Sequence, residues 1–145
     1  MSSYLLDTSC MAAAVCGWHE HHEPTRAALE ERRRRSEKLV LAAPCLIESY
    51  AVLTRLPSPY RLAMADALAL LEANWSRAAV VTLSAAEHWH VLRDCRLSGV
   101  SGGQAYDALI AACARKAKVD TLLTWNLAHF ARFQGPLRVA APSVA

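Results

Sequence analysis

No uncharged stretch of this chain approaches the roughly 18 apolar residues of a membrane-spanning helix, so a bilayer is not expected as a partner. The amino terminus lacks the basic start of a secretory signal. Its first Arg or Lys is Arg26, and Asp7 interrupts the first apolar stretch. A cytoplasmic location is therefore expected. Cys-x-x-Cys pairs are also missing. The five cysteines (Cys10, Cys16, Cys45, Cys95 and Cys113) are odd in number, which argues against a disulfide framework or a zinc ribbon. Most are expected to be small core residues. Internal repeats, low-complexity tracts and long linkers are absent too.

The 145 residues suit one domain with a single sizeable core. At 54% hydrophobic residues the chain is too apolar for intrinsic disorder. Net charge is only +3, but lysine is scarce: thirteen of the 16 basic residues are arginine, with Arg32–Arg35 and Lys38 in one dense run. The planar arginine fork suits phosphate. A solvated helix face balanced by Glu30, Glu31 and Glu37 accounts for the run as well, so it supports a nucleic-acid partner without establishing one.

Short apolar runs alternate with helical patterns. Strands are expected at Tyr4–Asp7, Leu39–Ala42, Ala79–Leu83 and Thr121–Thr124, with a weak fifth at Leu137–Ala140. Helices are expected from Ser9 to about Cys16, over Glu23–Lys38, from Pro44 to about Leu56, over Arg61–Trp75, from Ser84 towards Leu97, and up to about Lys118. Pro44 suits a first helical turn. Ser84 with Glu87 reads as a capping box, and Ser101 with Gln104 as a second. This alternation predicts an α/β/α three-layer domain with a mostly parallel sheet of four to five strands. Such sheets bind ligands at the carboxyl ends of their strands, where Asp7 and Thr124-Trp125-Asn126 fall.

Three acids stand alone in apolar sequence: Asp7 in Tyr-Leu-Leu-Asp-Thr, Glu48 in Leu-Ile-Glu-Ser-Tyr, and Asp107 in Ala-Tyr-Asp-Ala-Leu-Ile. An ionised carboxylate facing a core needs a partner. The helical neighbours of Glu48 are Pro44, Cys45, Ala51 and Val52; those of Asp107 are Gly103, Gln104, Ile110 and Ala111. Leu5 and Ser9 share the strand face of Asp7. None of these is a cation. If the fold gathers the three acids, their repulsion calls for a bound metal.

Four segments in order resemble a family: Leu5-Leu6-Asp7-Thr8-Ser9, Pro44-Cys45-Leu46-Ile47-Glu48, Tyr106-Asp107-Ala108-Leu109-Ile110-Ala111-Ala112, and Leu122-Leu123-Thr124-Trp125-Asn126-Leu127-Ala128-His129-Phe130. Together they resemble the PIN domain, and within it the VapC-type ribonuclease toxins of bacterial toxin–antitoxin pairs, over nearly all of residues 1–145. The resemblance implies a metal-dependent endoribonuclease. Asp7, Glu48 and Asp107 would gather around Mg²⁺ or Mn²⁺, with Thr8, Ser9 and Thr124 in support, and the products would carry 5′-phosphate and 3′-hydroxyl ends. It further implies transfer or ribosomal RNA as substrate, a cognate antitoxin that lays a peptide over the acids, and a homodimer to which Arg61–Trp75 contributes. Two positions depart from the pattern. Asn126 stands where a fourth acid is frequent, and His129 replaces the usual acid before Phe130.

The chemistry explains the need for acids. Mg²⁺ takes oxygen ligands and keeps several waters; it activates a water and offsets charge on the phosphate. Other residues invite plainer readings. Thr8 and Ser9 could orient Asp7 or cap the next helix, and Asn126 could be a turn residue. Asp66 reads as a mid-helix surface residue, and Trp125 as packing, though Trp125 and His129 could stack on RNA bases. The stretch from Cys16 to Glu23 contains zinc-ligand types without a finger-like spacing. A phosphatase-like enzyme with Asp7 as nucleophile would need an acid where Ser9 stands. A catalytically lapsed PIN-like module that binds RNA or acts as a scaffold is the alternative, and Asn126 gives it weight.

Overall fold

The computed structural model describes residues 2–143. Five strands form one sheet: β1 (Ser3–Leu6), β2 (Lys38–Ala42), β3 (Ala79–Val81), β4 (Thr121–Leu123) and β5 (Arg138–Ala140), in the order β3-β2-β1-β4-β5. Every pairing is parallel, so the expected mostly parallel sheet is wholly parallel. A parallel sheet is covered on both faces, and its inner strands therefore read as continuous apolar runs. Leu5, Leu6, Leu41, Leu122 and Leu123 are accordingly fully buried. The third strand stops at Val81, two residues short of the expected Leu83.

The helices are α1 (Thr8–Val15), α2 (His22–Arg34), α3 (Ala43–Arg55), α4 (Met64–Trp75), α5 (Ala85–Ser98), α6 (Gln104–Lys116) and the short α7 (Leu127–Phe130). Among the first four, α1 packs on both α2 and α3, and α3 packs on α4, while α5 packs on α6 and α6 reaches β2 and β3. Right-handed crossovers explain the two groups. The chain moves one way along the sheet from β1 to β3, then reverses to reach β4, so the connection through α5 and α6 covers the opposite face. The three layers expected from the alternation are present. None of the helices is long and apolar enough to cross a membrane, among the described residues.

The predicted capping box of α5 is formed: Glu87 N–H donates to Ser84 Oγ at 3.1 Å, and Ser84 N–H donates to Glu87 Oε1 at 2.8 Å. The helix ends on Gly99, whose φ of 71° is the left-handed conformation that glycine adopts without strain. The second expected box, Ser101 with Gln104, does not form. Gly102 turns the backbone through φ 61°, and α6 starts only at Gln104 with Gly103 as its uncapped N-cap. Asp107 still falls in the first turn of α6, as expected. Asp66 is exposed as expected, but in the first turn of α4 rather than mid-helix. All five cysteines are free and buried.

This topology fixes where chemistry can occur. β1 is followed by β2 on one side, whereas β4 lies on its other side, so the direction of winding switches between β1 and β4. Open parallel sheets leave a crevice at the carboxyl end of such a switch point. Asp7 leaves β1 there, and Thr124 leaves β4 beside it.

Candidate active site

Asp7 joins the two strand ends. Its N–H donates to Leu123 O at 3.1 Å, extending the β1–β4 ladder by one bond. Its carboxylate caps α1, with Oδ1 accepting from Cys10 N–H at 3.0 Å and from Ser9 Oγ at 2.6 Å. Oδ2 accepts from Thr124 Oγ1 at 2.5 Å. The residue is 3% exposed. Burial pushes its carboxyl pKa up, and the hydrogen bonds from Ser9, Thr124 and Cys10 hold it partly back.

Ser9 and Thr124 also organise the loop after β4. Ser9 Oγ accepts from Trp125 N–H at 3.0 Å, and Thr124 Oγ1 accepts from Asn126 N–H at 2.9 Å. Each hydroxyl thus donates to Asp7 and accepts from the loop, setting the position of Asn126 relative to the carboxylate. Thr8 behaves differently. Because Asp7 itself caps α1, Thr8 becomes the first helical residue, and its buried hydroxyl, which makes no full hydrogen bond among the described residues, has the Cys45 thiol as its polar neighbour. Ser9, rather than Thr8, orients Asp7. Thr124→Val keeps the shape but removes both bonds, so we expect a loss of roughly 1–3 kcal/mol. It would be read as a lower urea midpoint with an unchanged slope.

The other predicted residues arrive from three elements. Glu48 on α3 and Asp107 on α6 are half-buried, whereas Asn126 is exposed just before α7. Together with Gly103, Gln104, Tyr106 and His129 they line one open cleft of about 520 Å³. Asp7 is not on that wall. Its charge nevertheless acts on Asp107, whose carboxyl pKa is raised chiefly by burial, drawn back by His129, and pushed up again by Asp7 and Glu48. His129 Nδ1 lies 3.8 Å from Asp107 Oδ2. Asn126 has backbone angles of −106° and 58° and makes no side-chain cap.

The fold therefore brings all four predicted positions to one end of the sheet, but not into a closed cage. Among the described residues, no three His, Cys, Asp or Glu side chains are grouped tightly enough to hold a metal ion by themselves. Like charges repel, and Asp107 leans on His129 instead. The donor chemistry still fits a hard cation. The donors are carboxylate oxygens, and Mg²⁺ is commonly held by one or two carboxylates with water and phosphate completing its shell.

Several other sequence features resolve as packing. Arg33 pairs with Glu30 at 2.7 Å, Arg34 with Glu31 at 2.8 Å, Arg35 with Glu31 at 3.2 Å, and Arg32 with Glu37 at 2.7 Å. The arginine run is thus a charge-balanced helix face. Trp125 stacks on His21 at 3.9 Å and donates from Nε1 to Thr25 Oγ1 at 2.8 Å, so it anchors the loop to α2. Trp18 packs at a tilt against Tyr60, with ring centroids 4.4 Å apart. Sequence reasoning did not single out Gln104 and Tyr106 on the cleft wall. Their one signal was adjacency to Asp107 after the glycine loop.

A family model for the PIN domain matches residues 4–135. Ribonuclease VapC40 of Mycobacterium tuberculosis strain H37Rv is 35% identical over 121 residues, covering 83% of this chain and 84% of its own length. Ribonuclease VapC27 of the same strain is 34% identical over 116 residues, covering 80% and 72%. Two solved structures resemble this one at a TM-score of 0.69. VapBC2 from Rickettsia felis, bound to a DNA fragment from its promoter, is 20% identical, with 94% of this chain and 96% of the other covered. Mycobacterium tuberculosis VapC20, a sarcin-ricin loop cleaving toxin, is 17% identical, with 93% and 98% covered. At those identities the structural likeness speaks for the fold alone.

Proposed function

The chain belongs to the PIN domain family, and from that premise we propose that it is an endoribonuclease toxin held silent by a cognate antitoxin. We read residues 1–145 as one nuclease domain acting on cytoplasmic RNA, of the transfer or ribosomal class. The observation that carries this reading is the convergence of Glu48, Asp107 and Asn126 on one cleft beside Asp7, at the switch point of a parallel sheet. Similarity to two proteins named ribonucleases supports the activity. The antitoxin is inferred from the VapC-type resemblance of the four motif segments and from the two VapC relatives.

In this reading Asp7, Glu48 and Asp107 would hold Mg²⁺ or Mn²⁺. When bound, such an ion lowers the pKa of a water and offsets charge on the phosphate oxygens. The protein's own part is placement. Asp7 is fixed by three donors, so its carboxylate does not reorganise when substrate arrives. Thr124 and Ser9 tie the loop bearing Asn126 to that carboxylate. The Asn126 amide makes no hydrogen bond among the described residues and is available to a phosphate oxygen or a water. Water attack on phosphorus with loss of the 3′-oxygen would leave 5′-phosphate and 3′-hydroxyl ends. Exposed Met64 and Leu68 on α4, 71% and 52% accessible, support a homodimer through that helix.

The test is cleavage of total RNA by purified protein in Mn²⁺, Mg²⁺ or chelator. Cleavage is expected with either metal and none in chelator. Cleavage that survives chelation overturns the metal-dependent reading. RNA binding without cleavage in any metal would instead favour a lapsed module, the reading to which Asn126, uncharged at the fourth position, lends weight.

A further inference from the structure

Tyr106 is 64% exposed in the first turn of α6, one residue before Asp107. A single exposed tyrosine is ordinary on a protein surface; its place is not. The ring lines the same cleft as Glu48, Asp107 and Asn126. Among the described residues it packs on no other aromatic ring, and it lies outside the core cluster and its partly buried fringe. His129, with a side chain 61% exposed, comes to the cleft from a different element, α7. Gln104 lines it too, two residues before Tyr106, and its amide makes no side-chain hydrogen bond among the described residues. Two uncovered rings and one unused amide thus stand beside the carboxylates.

We propose that Tyr106 and His129 form a stacking site for an unpaired nucleobase next to the scissile phosphate, and that Gln104 contacts the edge of that base. This rests on reading the cleft as a nuclease site. RNA is read mainly through unpaired bases, which stack on aromatic side chains and present their edges to polar groups. The phosphate and the base of one nucleotide are tied together. A cleft that would receive the phosphate through a cation on its carboxylates therefore has use for base contacts close by, and Tyr106, His129 and Gln104 line that same cleft. The ligand class is a single-stranded or looped-out ribonucleotide. The site would select among RNAs by whether a base is free to leave its stack.

Stacking can be measured without cleavage. Single-stranded oligoribonucleotides with 2-aminopurine stepped through each position would be titrated with cleavage-deficient Asp7→Asn protein. With Tyr106 present, fluorescence should be quenched at one or two label positions. Adding Tyr106→Ala should abolish that quench and weaken binding about five- to hundredfold, the usual loss for one stacked base. Tyr106→Phe should retain both, because the ring and not the hydroxyl is used. In the otherwise unaltered protein, Tyr106→Ala should raise KM for RNA by at least about fivefold with kcat little changed. Equal quench at every position, no quench at any, or binding unchanged by Tyr106→Ala would overturn the stacking site. A position-specific quench in a protein that cleaves nothing in any metal would leave this site standing while the nuclease reading falls.

Discussion

Asp7→Asn is expected to cut RNA cleavage by on the order of a thousandfold, the scale typical of losing one essential group in an active site. The protein should stay folded. Asn has the shape of Asp, and its Oδ1 can still accept from Ser9 and from Cys10 N–H. Its amide would donate to Thr124 Oγ1, which then has to accept where it previously donated. What disappears is one negative charge at the switch point, and with it the deepest of the proposed metal ligands. Stability should move the other way. Burial raises the pKa of Asp7 despite its donors, so the ionised form is a cost to the folded state, and neutral Asn removes that cost. Lost activity with a higher Tm is the pattern of a functional carboxylate held where the fold disfavours it. Lost activity with a lower Tm would mean only that the variant unfolds. Residual cleavage within about tenfold of the original would remove Asp7 from the centre of the site.

The parts of this molecule legible in the sequence are those that burial imposes on it. Leu5-Leu6 and Leu122-Leu123 announce inner strands because both faces of a parallel sheet are covered. Asp7 stood out because an acid ending such a run must be paired by something distant, and the structure supplies Thr124, far along the chain. Ser84 and Glu87 specify a cap locally and form it. Ser101 and Gln104 have the same spacing and do not, since the backbone freedom of Gly102 starts the helix later. Depth was not legible. Asp7 is buried between the ends of β1 and β4, while Glu48 and Asp107 stand half-buried on helices that line the cleft. Nor could the sequence show Tyr106 and Gln104 as cleft residues, because exposed positions carry no periodic pattern. The arginine run left a phosphate site and a balanced helix face both open in the sequence, and its close ion pairs with Glu30, Glu31 and Glu37 bear out the second.

The gap in Tm between Asp7→Asn and the original protein should depend on pH with a definite sign. Below the ordinary aspartate range, near pKa ~3.9, Asp7 is protonated in both folded and unfolded chains, and the gap is smallest. As pH rises, the unfolded carboxyl ionises first, while the folded one keeps its proton to higher pH. The original protein loses stability relative to the variant across that window, and the gap is flat above the folded value. Asp107 slopes the same way in both proteins and largely cancels, except that it loses the push from Asp7 in the variant, which widens the gap. Glu87, drawn down to about 2 by Lys116 and the Ser84 N–H, has the opposite sign: its contribution is present at neutral pH and is lost in acid. Asp7 is not among the groups that shift Glu87, so its contribution cancels in the difference. Divalent cation adds a further contrast. At a hundredfold excess over its Kd, a ligand of the folded state alone contributes about 2.7 kcal/mol. Mn²⁺ should therefore raise the Tm of the original protein at pH 7 far more than that of Asp7→Asn, closing the gap or reversing it. A gap that runs the other way, with the variant less stable at pH 7 and the difference vanishing in acid, would show that Ser9, Thr124 and Cys10 outweigh burial. Asp7 would then be a carboxylate that holds the fold together, and its repulsion of Asp107 would no longer argue for a cation between them.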